Sequence, residues 1–138
     1  YKKSNAKAET NMAVGQAFLA DNKTKEGVTT LPSGLQYKIV TEGTGAKPSL
    51  EDSVVCHYTG TFIDGKVFDS SVERGLPATF AVNGVIKGWQ EIVPMMPTGS
   101  KWMVYVPSDL AYGARDNQGM PANSTLIFEI ELLEIVGK

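Results

Sequence analysis

Alternation of apolar and polar side chains is the feature of this sequence that most restricts its fold. The longest such run covers residues 125–136, where Glu129 and Glu131 stand between the apolar residues Leu126, Phe128, Ile130 and Leu132. Shorter runs cover residues 35–40, 54–58, 79–82 and 102–106. The residues expected to share one face are Leu35, Tyr37 and Ile39 in the first of these runs, and Val54, Cys56 and Tyr58 in the second. A period of two with one polar face is typical of antiparallel sheets.

Two short segments carry strong turn signals. Asp64-Gly65 stands between the apolar pairs at residues 62–63 and 67–68, and this dipeptide in that setting is the strongest short-range signal of a β-hairpin. The segment Pro32-Ser33-Gly34 is also a turn sequence, and it follows an N-terminal stretch of different composition. We therefore expect the main domain to open at this second turn.

One segment within the β-rich region has helical periodicity. Its apolar residues are spaced by three and four positions, at Val85, Ile86, Trp89, Ile92, Val93 and Met96. Pro94 and Pro97 follow closely and are expected to end the helix. The sequence therefore predicts an α+β fold in which an antiparallel β-sheet wraps around one short α-helix.

The N-terminal stretch differs from the rest of the chain. Residues 5–22 are rich in Ala and contain no Pro, which predicts a helix with one weak point at Gly15. Two interpretations stay open, a helix resting on its own domain or the end of a longer stalk. We divide the chain into a connecting helix at residues 1–28 and a domain at residues 29–138. Because the chain starts at Tyr1 instead of Met, we expect a preceding segment to have been removed.

Composition and motifs argue against several classes of function. A net charge of −2 without a basic block gives no electrostatic basis for binding nucleic acid. Cys56 is the single cysteine, so no disulfide or thiolate cluster is expected, and no ligand spacing predicts a metal or another cofactor. The single histidine, His57, lies in a predicted strand, where such residues are usually structural. An enzyme with this sequence would need chemistry that requires no general base.

Aromatic residues recur at the ends of the predicted strands and helix. They are Tyr58, Phe68, Phe80, Trp89, Tyr112 and Phe128. Ordinary core packing would account for each of them singly. Two details favour a binding site. Tyr112 lies in a loop of about 17 residues, a length that is often functional, and Asp69 follows Phe68 at a strand end, five residues before Arg74.

Five blocks of sequence, in order, resemble the FKBP family of peptidyl-prolyl cis/trans isomerases. They are His-Tyr-Thr-Gly at residues 57–60, Asp-Gly-Lys-Val-Phe-Asp-Ser-Ser at 64–71, Val-Ile-Lys-Gly-Trp at 85–89, Ala-Tyr-Gly at 111–113 and Asn-Ser-Thr-Leu-Ile-Phe at 123–128. The linker at residues 31–37, after an Ala-rich helix, is similar to the envelope FKBPs of Gram-negative bacteria. That subfamily includes the macrophage infectivity potentiator (Mip) and FkpA-like proteins.

The resemblance implies a catalytic site as well as a fold. Trp89 would form the floor of an aromatic pocket, and Asp69 would lie at its rim, hydrogen-bonded to Tyr58 and paired with Arg74. Tyr112 would hydrogen-bond a substrate carbonyl through its hydroxyl. The resemblance assigns the remaining pocket positions to Phe68, Phe80, Val85, Ile86, Met120 and Phe128, with the backbone N–H of Ile86 as a second donor. Met120 replaces a branched aliphatic residue usual in the family, and residues 115–119 also differ.

The same resemblance implies partners and a location. We expect an isomerase that assists the folding of envelope or secreted proteins, acts on proline-containing peptides or unfolded proteins, and binds macrolide inhibitors. We expect it in the periplasm or at the outer membrane of a bacterium. The loose apolar face of the N-terminal helix offers too little area for a stable dimer, so this part of the protein should be monomeric. A parent protein would dimerise through a missing N-terminal region.

Two functions of other classes remain open. A chaperone or docking module could bind proline peptides with little turnover, and a purely structural domain could use the aromatic residues as core. In the first case the sequence would commonly lack pocket aromatics or the acidic rim residue. In the second the rings would interlock in a closed core instead of surrounding an open concavity.

Overall fold

The chain folds into one antiparallel sheet with short helices, within the residues that the computed structural model describes, 13–63, 65–110 and 125–136. The seven strands of this part are β1 (Val28–Thr30), β2 (Gln36–Thr41), β3 (Ser53–Phe62), β4 (Val67–Ser70), β5 (Ala78–Ala81), β6 (Lys101–Val106) and β7 (Leu126–Ile135). The helices are α1 (13–22), α2 (Ser71–Arg74) and α3 (Lys87–Ile92). The strand order is β1-β2-β6-β7-β3-β4, with β5 also paired to β3. The predicted α+β fold is confirmed.

The two long strands β3 and β7 form the centre of the sheet, as their alternating patterns predict. Antiparallel pairing places Tyr58 opposite Ile130 and Gly60 opposite Phe128. Alternate residues of both strands are buried, including the predicted set of Val54, Cys56 and Tyr58. The polar residues between them face outward, and one face of the sheet therefore forms the core.

Ile39 lies on the predicted face of β2, because it pairs with the core residue Trp102 as Tyr37 pairs with Val104. Leu35 is fully buried, but 42% of Ile39 is exposed. Ile39 lies beyond Lys38, the last residue of β2 that β1 pairs, and a register shift follows it. The apolar face is therefore left partly uncovered at this corner of the sheet.

The outer face of the sheet is covered in part by α1. The Asn22 side-chain amide donates to Gln36 Oε1 over 2.8 Å, and Gln36 Nε2 donates to the backbone oxygen of Leu19 over 2.9 Å. The ring of Phe18 contacts that of Tyr105 at 6.0 Å between centroids. The described part of the helix therefore packs on the sheet, and both interpretations given above stay open. None of the helices in the described residues is long and apolar enough to cross a membrane.

Both predicted turns join neighbouring strands. The backbone N–H of Phe62 donates to the oxygen of Lys66, and Gly65 takes a φ of 89°, so β3 and β4 form the predicted hairpin; Asp64 itself is outside the described residues. Gly34 takes a φ of 95° in the turn between β1 and β2. The sheet therefore already begins at Val28, ahead of that turn.

The helix beneath the sheet is shorter than its periodic pattern. It covers Lys87–Ile92, and Pro94 lies in the 3₁₀ turn Val93–Met95 that follows, so the predicted stop is confirmed. Val85 and Ile86 precede the helix in extended conformation, with ψ of 177° and 157°. Including them in the helix was wrong. Both residues line the concavity that is described in the next subsection.

Candidate active site

An open concavity of about 420 Å³ lies between the sheet and α3. Single residues of β3, β5, α3 and β7 line it, together with two from β4 and three from the segment before α3. The lining residues are Tyr58, Phe68, Asp69, Phe80, Gly84, Val85, Ile86, Trp89 and Phe128. Eight of the ten predicted site residues thus meet at one place. The other two, Tyr112 and Met120, lie outside the described residues, as do residues 115–119.

Trp89 lies at the centre of this cluster and is 4% exposed. Three rings surround it edge-on, namely Tyr58 at 5.5 Å, Phe80 at 5.4 Å and Phe128 at 5.3 Å between centroids. The neighbouring Gly88 lets α3 approach the sheet, since a Cβ there would lie 2.7 Å from Val106 Cγ1. Edge-to-face packing of this kind fixes ring orientation and leaves an apolar floor.

A second pair of rings forms the wall between β4 and β7. Phe68 meets Phe128 at 5.7 Å with an interplanar angle of 82°. Both rings lie against the backbone of Gly60, where a Cβ would be 2.5 Å from Phe68 Cζ and 2.9 Å from Phe128 Cε1. Only glycine leaves room for this wall. The sequence reading did not single out Gly60, although a glycine inside a strand signals such close approach.

A hydrogen-bonded polar group forms one rim. The Tyr58 hydroxyl donates to Asp69 Oδ2 over 2.5 Å, and the Arg74 guanidinium donates to Asp69 Oδ1 over 2.5 Å and to the Tyr58 oxygen over 3.0 Å. Burial alone would raise the pKa of the Asp69 carboxyl, but hydrogen bonds from Tyr58 and Arg74 outweigh it and hold that pKa below its ordinary value. Burial and the Asp69 carboxylate raise the pKa of the Tyr58 hydroxyl, which therefore stays protonated.

The short helix α2 brings this rim together. Ser70 caps it, its side chain accepting from the backbone N–H of Glu73 over 3.2 Å. Gly75 ends it with a φ of 77°. The single turn of helix folds the chain back on itself, so that Arg74 returns to Asp69 across five residues.

The segment before α3 is held by a side chain that sequence reasoning missed. Gln90 Nε2 donates to the backbone oxygen of Val85 over 2.7 Å, and the Gln90 backbone N–H donates to Ile86 oxygen over 3.1 Å. These bonds keep Val85 and Ile86 extended along the concavity. No pattern in the sequence indicates this contact.

His57 lies outside the concavity. Its Nδ1 is 2.9 Å from the hydroxyl of the buried Ser71, which also accepts from the backbone N–H of Tyr58 over 2.8 Å. The histidine thus takes part in joining β3 to α2. Within the described residues, no three His, Cys, Asp or Glu side chains are grouped so that they could hold a metal ion.

The arrangement combines an apolar floor and walls with polar groups confined to one edge. Such a site suits a small apolar ring flanked by peptide groups, since the ring loses water on several sides while polar atoms remain at the rim. Asp69 is the one charged residue among the described residues that line the concavity, and its carboxylate accepts hydrogen bonds from Tyr58 and Arg74.

Comparison with known proteins finds a family whose sequence models match this chain. The sequence model of the FKBP-type peptidyl-prolyl cis-trans isomerase matches residues 44–133, and that of the domain amino-terminal to this isomerase matches residues 1–39. The outer membrane protein MIP of Legionella longbeachae is 57% identical over 132 residues, which are 95% of this chain and 57% of that protein. The FKBP-type peptidyl-prolyl cis-trans isomerase FkpA of Aeromonas hydrophila is 52% identical, over 96% of this chain and 50% of its own length.

A solved structure shows the same fold. The crystal structure of FkpA from Escherichia coli superposes with a TM-score of 0.94 at 41% identity, covering 97% of this chain and 63% of that one. The chain therefore spans roughly half to three fifths of the length of the relatives it matches.

Proposed function

The chain belongs to the FKBP-type peptidyl-prolyl cis-trans isomerase family, and from this premise we propose that its aromatic concavity accelerates rotation about X–Pro bonds. The observation that carries the proposal is the arrangement of the rings. They surround an open concavity with Trp89 at its floor, whereas a purely structural role would have them interlock in a closed core.

Rotation about the X–Pro bond is accelerated by an apolar environment and requires no acid, base or nucleophile. The planar amide is stabilised by resonance, which gives a rotation barrier of about 18–20 kcal/mol. At 90° the amide loses this resonance and the charge separation that comes with it. An apolar concavity favours the less polar, twisted amide over the planar one, and each 1.4 kcal/mol of that preference is about tenfold in rate. No proton is removed and no bond is broken.

The concavity supplies a position for each part of the substrate. The proline ring lies over Trp89, between walls formed by Tyr58, Phe68, Phe80, Val85, Ile86 and Phe128. The Asp69–Arg74 pair orients the Tyr58 hydroxyl at the rim. Tyr112 and the backbone N–H of Ile86 hold substrate carbonyl groups, and Met120 lies beside the ring; Tyr112 and Met120 fall outside the described residues, so the resemblance alone supports their roles.

The substrates in the cell are proline-containing segments of envelope or secreted proteins. The name of the Legionella longbeachae relative, an outer membrane protein, supports a location in the bacterial cell envelope. Macrolides whose ring imitates proline occupy the same concavity and inhibit turnover.

Residues 1–28 act as a connecting helix and take no part in turnover. No residue of α1 lines the concavity, which supports this division. Deletion of residues 1–28 should leave the kcat/KM of small proline peptides unchanged, and both forms should sediment as monomers. A large loss of turnover, or a dimer that dissociates on deletion, would contradict it.

The test is a protease-free assay of proline-peptide isomerisation with a matched pair of variants. Phe80→Leu removes a ring that packs against Trp89, and loss of such a contact costs about 0.5–1.5 kcal/mol, or two- to tenfold in kcat/KM. Phe18→Leu makes the same change on α1, away from the concavity, and should leave kcat/KM as in the wild type. Peptide binding without any acceleration by the wild type would instead indicate a docking module.

A further inference from the structure

A second concavity adjoins the aromatic one. It has a volume of about 410 Å³ and is lined by Val67, Phe68, Asp69, Ser70, Glu73 and Arg74. Two residues, Phe68 and Asp69, line both concavities, which therefore share part of their wall. The second concavity therefore lies within reach of a peptide held in the first.

The charges around this second concavity do not cancel. Arg74 is committed to Asp69 and to the Tyr58 hydroxyl, and its guanidinium carbon lies 5.7 Å from the centre of the Tyr58 ring. Glu73 is fixed at its backbone by the Ser70 cap, but its carboxylate makes no hydrogen bond or ion pair with any other described residue. The lining residues therefore carry two carboxylates and one guanidinium, and Glu73 supplies the unmatched negative charge.

The remaining lining is apolar. Val67 is 39% exposed, and the half-buried ring of Phe68 stands beside it. A lysine or arginine side chain combines an apolar stem with a cationic end, and it packs the stem on apolar surface while the charge stays in water. Val67 and Phe68 match the stem, and Glu73 matches the charge.

We propose that this second concavity is a subsite for a cationic side chain of the substrate, with Glu73 as the residue that selects it. The inference rests on the proposed function, because it presumes that a proline segment occupies the first concavity. An extended chain advances about 3.3–3.6 Å per residue. Since the two concavities share a wall, the lysine or arginine lies within about three residues of the proline.

The experiment compares peptides that differ in one side chain. Each peptide of the series has one variable position, which lies one, two or three residues before or after the proline. This position holds lysine, norleucine or glutamate. Both kcat/KM in a protease-free assay and Kd by fluorescence anisotropy are measured. An exposed ion pair of this kind predicts a preference for lysine over norleucine of about two- to fivefold at the best position. Glutamate should be disfavoured there, and added salt should reduce both differences.

Two variants assign the preference to one residue. Glu73→Gln should bring the ratio of lysine to norleucine peptide close to one, and Glu73→Lys should reverse it in favour of glutamate. Glu134→Gln removes the same charge from an exposed position of β7 that lines neither concavity. This control should keep the wild-type ratio.

The outcomes separate this inference from the proposed function. A wild type that prefers glutamate or norleucine, or a lysine preference that survives Glu73→Gln, would overturn the subsite while leaving isomerisation intact. Absence of turnover with every peptide would overturn the isomerase. The Kd values for lysine and norleucine peptides would then still decide whether Glu73 selects a cation.

Discussion

Substitution of Gly60 by alanine should disturb the site from inside the sheet. The added methyl would lie 2.5 Å from Phe68 Cζ and 2.9 Å from Phe128 Cε1, closer than carbon atoms approach without displacement. Phe128 is held in the core beside Trp89, whereas Phe68 is only half-buried. We therefore expect Phe68 to move, and the wall it forms with Phe128 to open.

The expected loss of stability depends on how easily Phe68 moves. Overpacking a filled site typically costs about 1–3 kcal/mol, and the freedom of Phe68 puts this case at about 1–2 kcal/mol. For a domain of this size the Tm should fall by roughly 3–8 °C. Loss of the edge contact with Phe128 costs about 0.5–1.5 kcal/mol, so kcat/KM for a proline peptide should fall two- to tenfold. Calorimetry and a protease-free kinetic assay measure the two effects.

Two further variants test the cause. Gly84→Ala adds the same methyl where, among the described residues, it would meet only Ala81 Cβ at 3.7 Å, and its Tm should be that of the wild type. Gly60→Ala combined with Phe68→Leu removes the nearer of the two clashing rings, so its Tm should fall by less than the sum of the two single changes. A Gly60→Ala protein with the Tm and kcat/KM of the wild type would refute the reasoning.

Four further predictions concern polar or titratable groups. Tyr58→Phe removes the bond to Asp69 and should cost about 1 kcal/mol of stability, with a higher Asp69 pKa in an NMR titration; an unchanged pKa would contradict the bond. The pKa of Asp69 in the folded protein is lowered from its ordinary 3.8. Ionised Asp69 therefore stabilises the fold above that pH, and this stabilisation is lost as the pH falls through the pKa of the folded state. The Tm difference between the wild type and Asp69→Asn should thus be constant from about pH 5 to 8 and shrink below about pH 4; a difference that grows there would be inconsistent. His57→Ala should keep most of the activity with a kcat/KM that is flat from about pH 5.5 to 8, whereas a bell-shaped wild-type profile would require proton transfer. Burial raises the pKa of the Cys56 thiol to about 12, so a thiol reagent at about pH 8 should react only after unfolding; rapid reaction of the native protein would show an opened core.

The sheet could be predicted where one face is buried along its whole length. β3 and β7 lie in the middle of the sheet, and their alternation was read correctly because every second residue meets the core. Ile39 lies at a corner of the sheet, where a short neighbouring strand leaves the expected face uncovered. Local pattern carries no information about how far a neighbour extends, and the exposure of Ile39 therefore could not be predicted from the alternation.

The start of α3 was predicted too early for a related reason. Val85 and Ile86 continue the helical spacing of Trp89, but the chain there is extended and is held by Gln90. Apolar spacing alone does not distinguish a residue on a helix face from one that lines a concavity beside the helix. The hydrogen bond from the Gln90 side chain to the Val85 backbone oxygen keeps this segment out of the helix, and no periodicity in the sequence indicates that bond.

The sequence indicated which residues form the candidate site better than it indicated how they are arranged. Resemblance to a family pointed to the rings, but composition and spacing left core packing as the ordinary explanation for each. The convergence of Tyr58, Phe80 and Phe128 on Trp89 depends on pairing between strands far apart in sequence. Gly60 illustrates the limit, since its role becomes visible only when Phe68 and Phe128 are both in place.

The central claim is that the aromatic concavity accelerates X–Pro rotation without proton transfer. Two-dimensional exchange NMR on a proline peptide at equilibrium observes that rotation directly. We predict that catalytic amounts of the protein make exchange between the cis and trans signals far faster than the uncatalysed tens to hundreds of seconds. The cis-to-trans ratio should stay unchanged, and the rate should be the same in H2O and D2O at matched acidity. Exchange at the uncatalysed rate, or a rate that falls severalfold in D2O, would contradict the account.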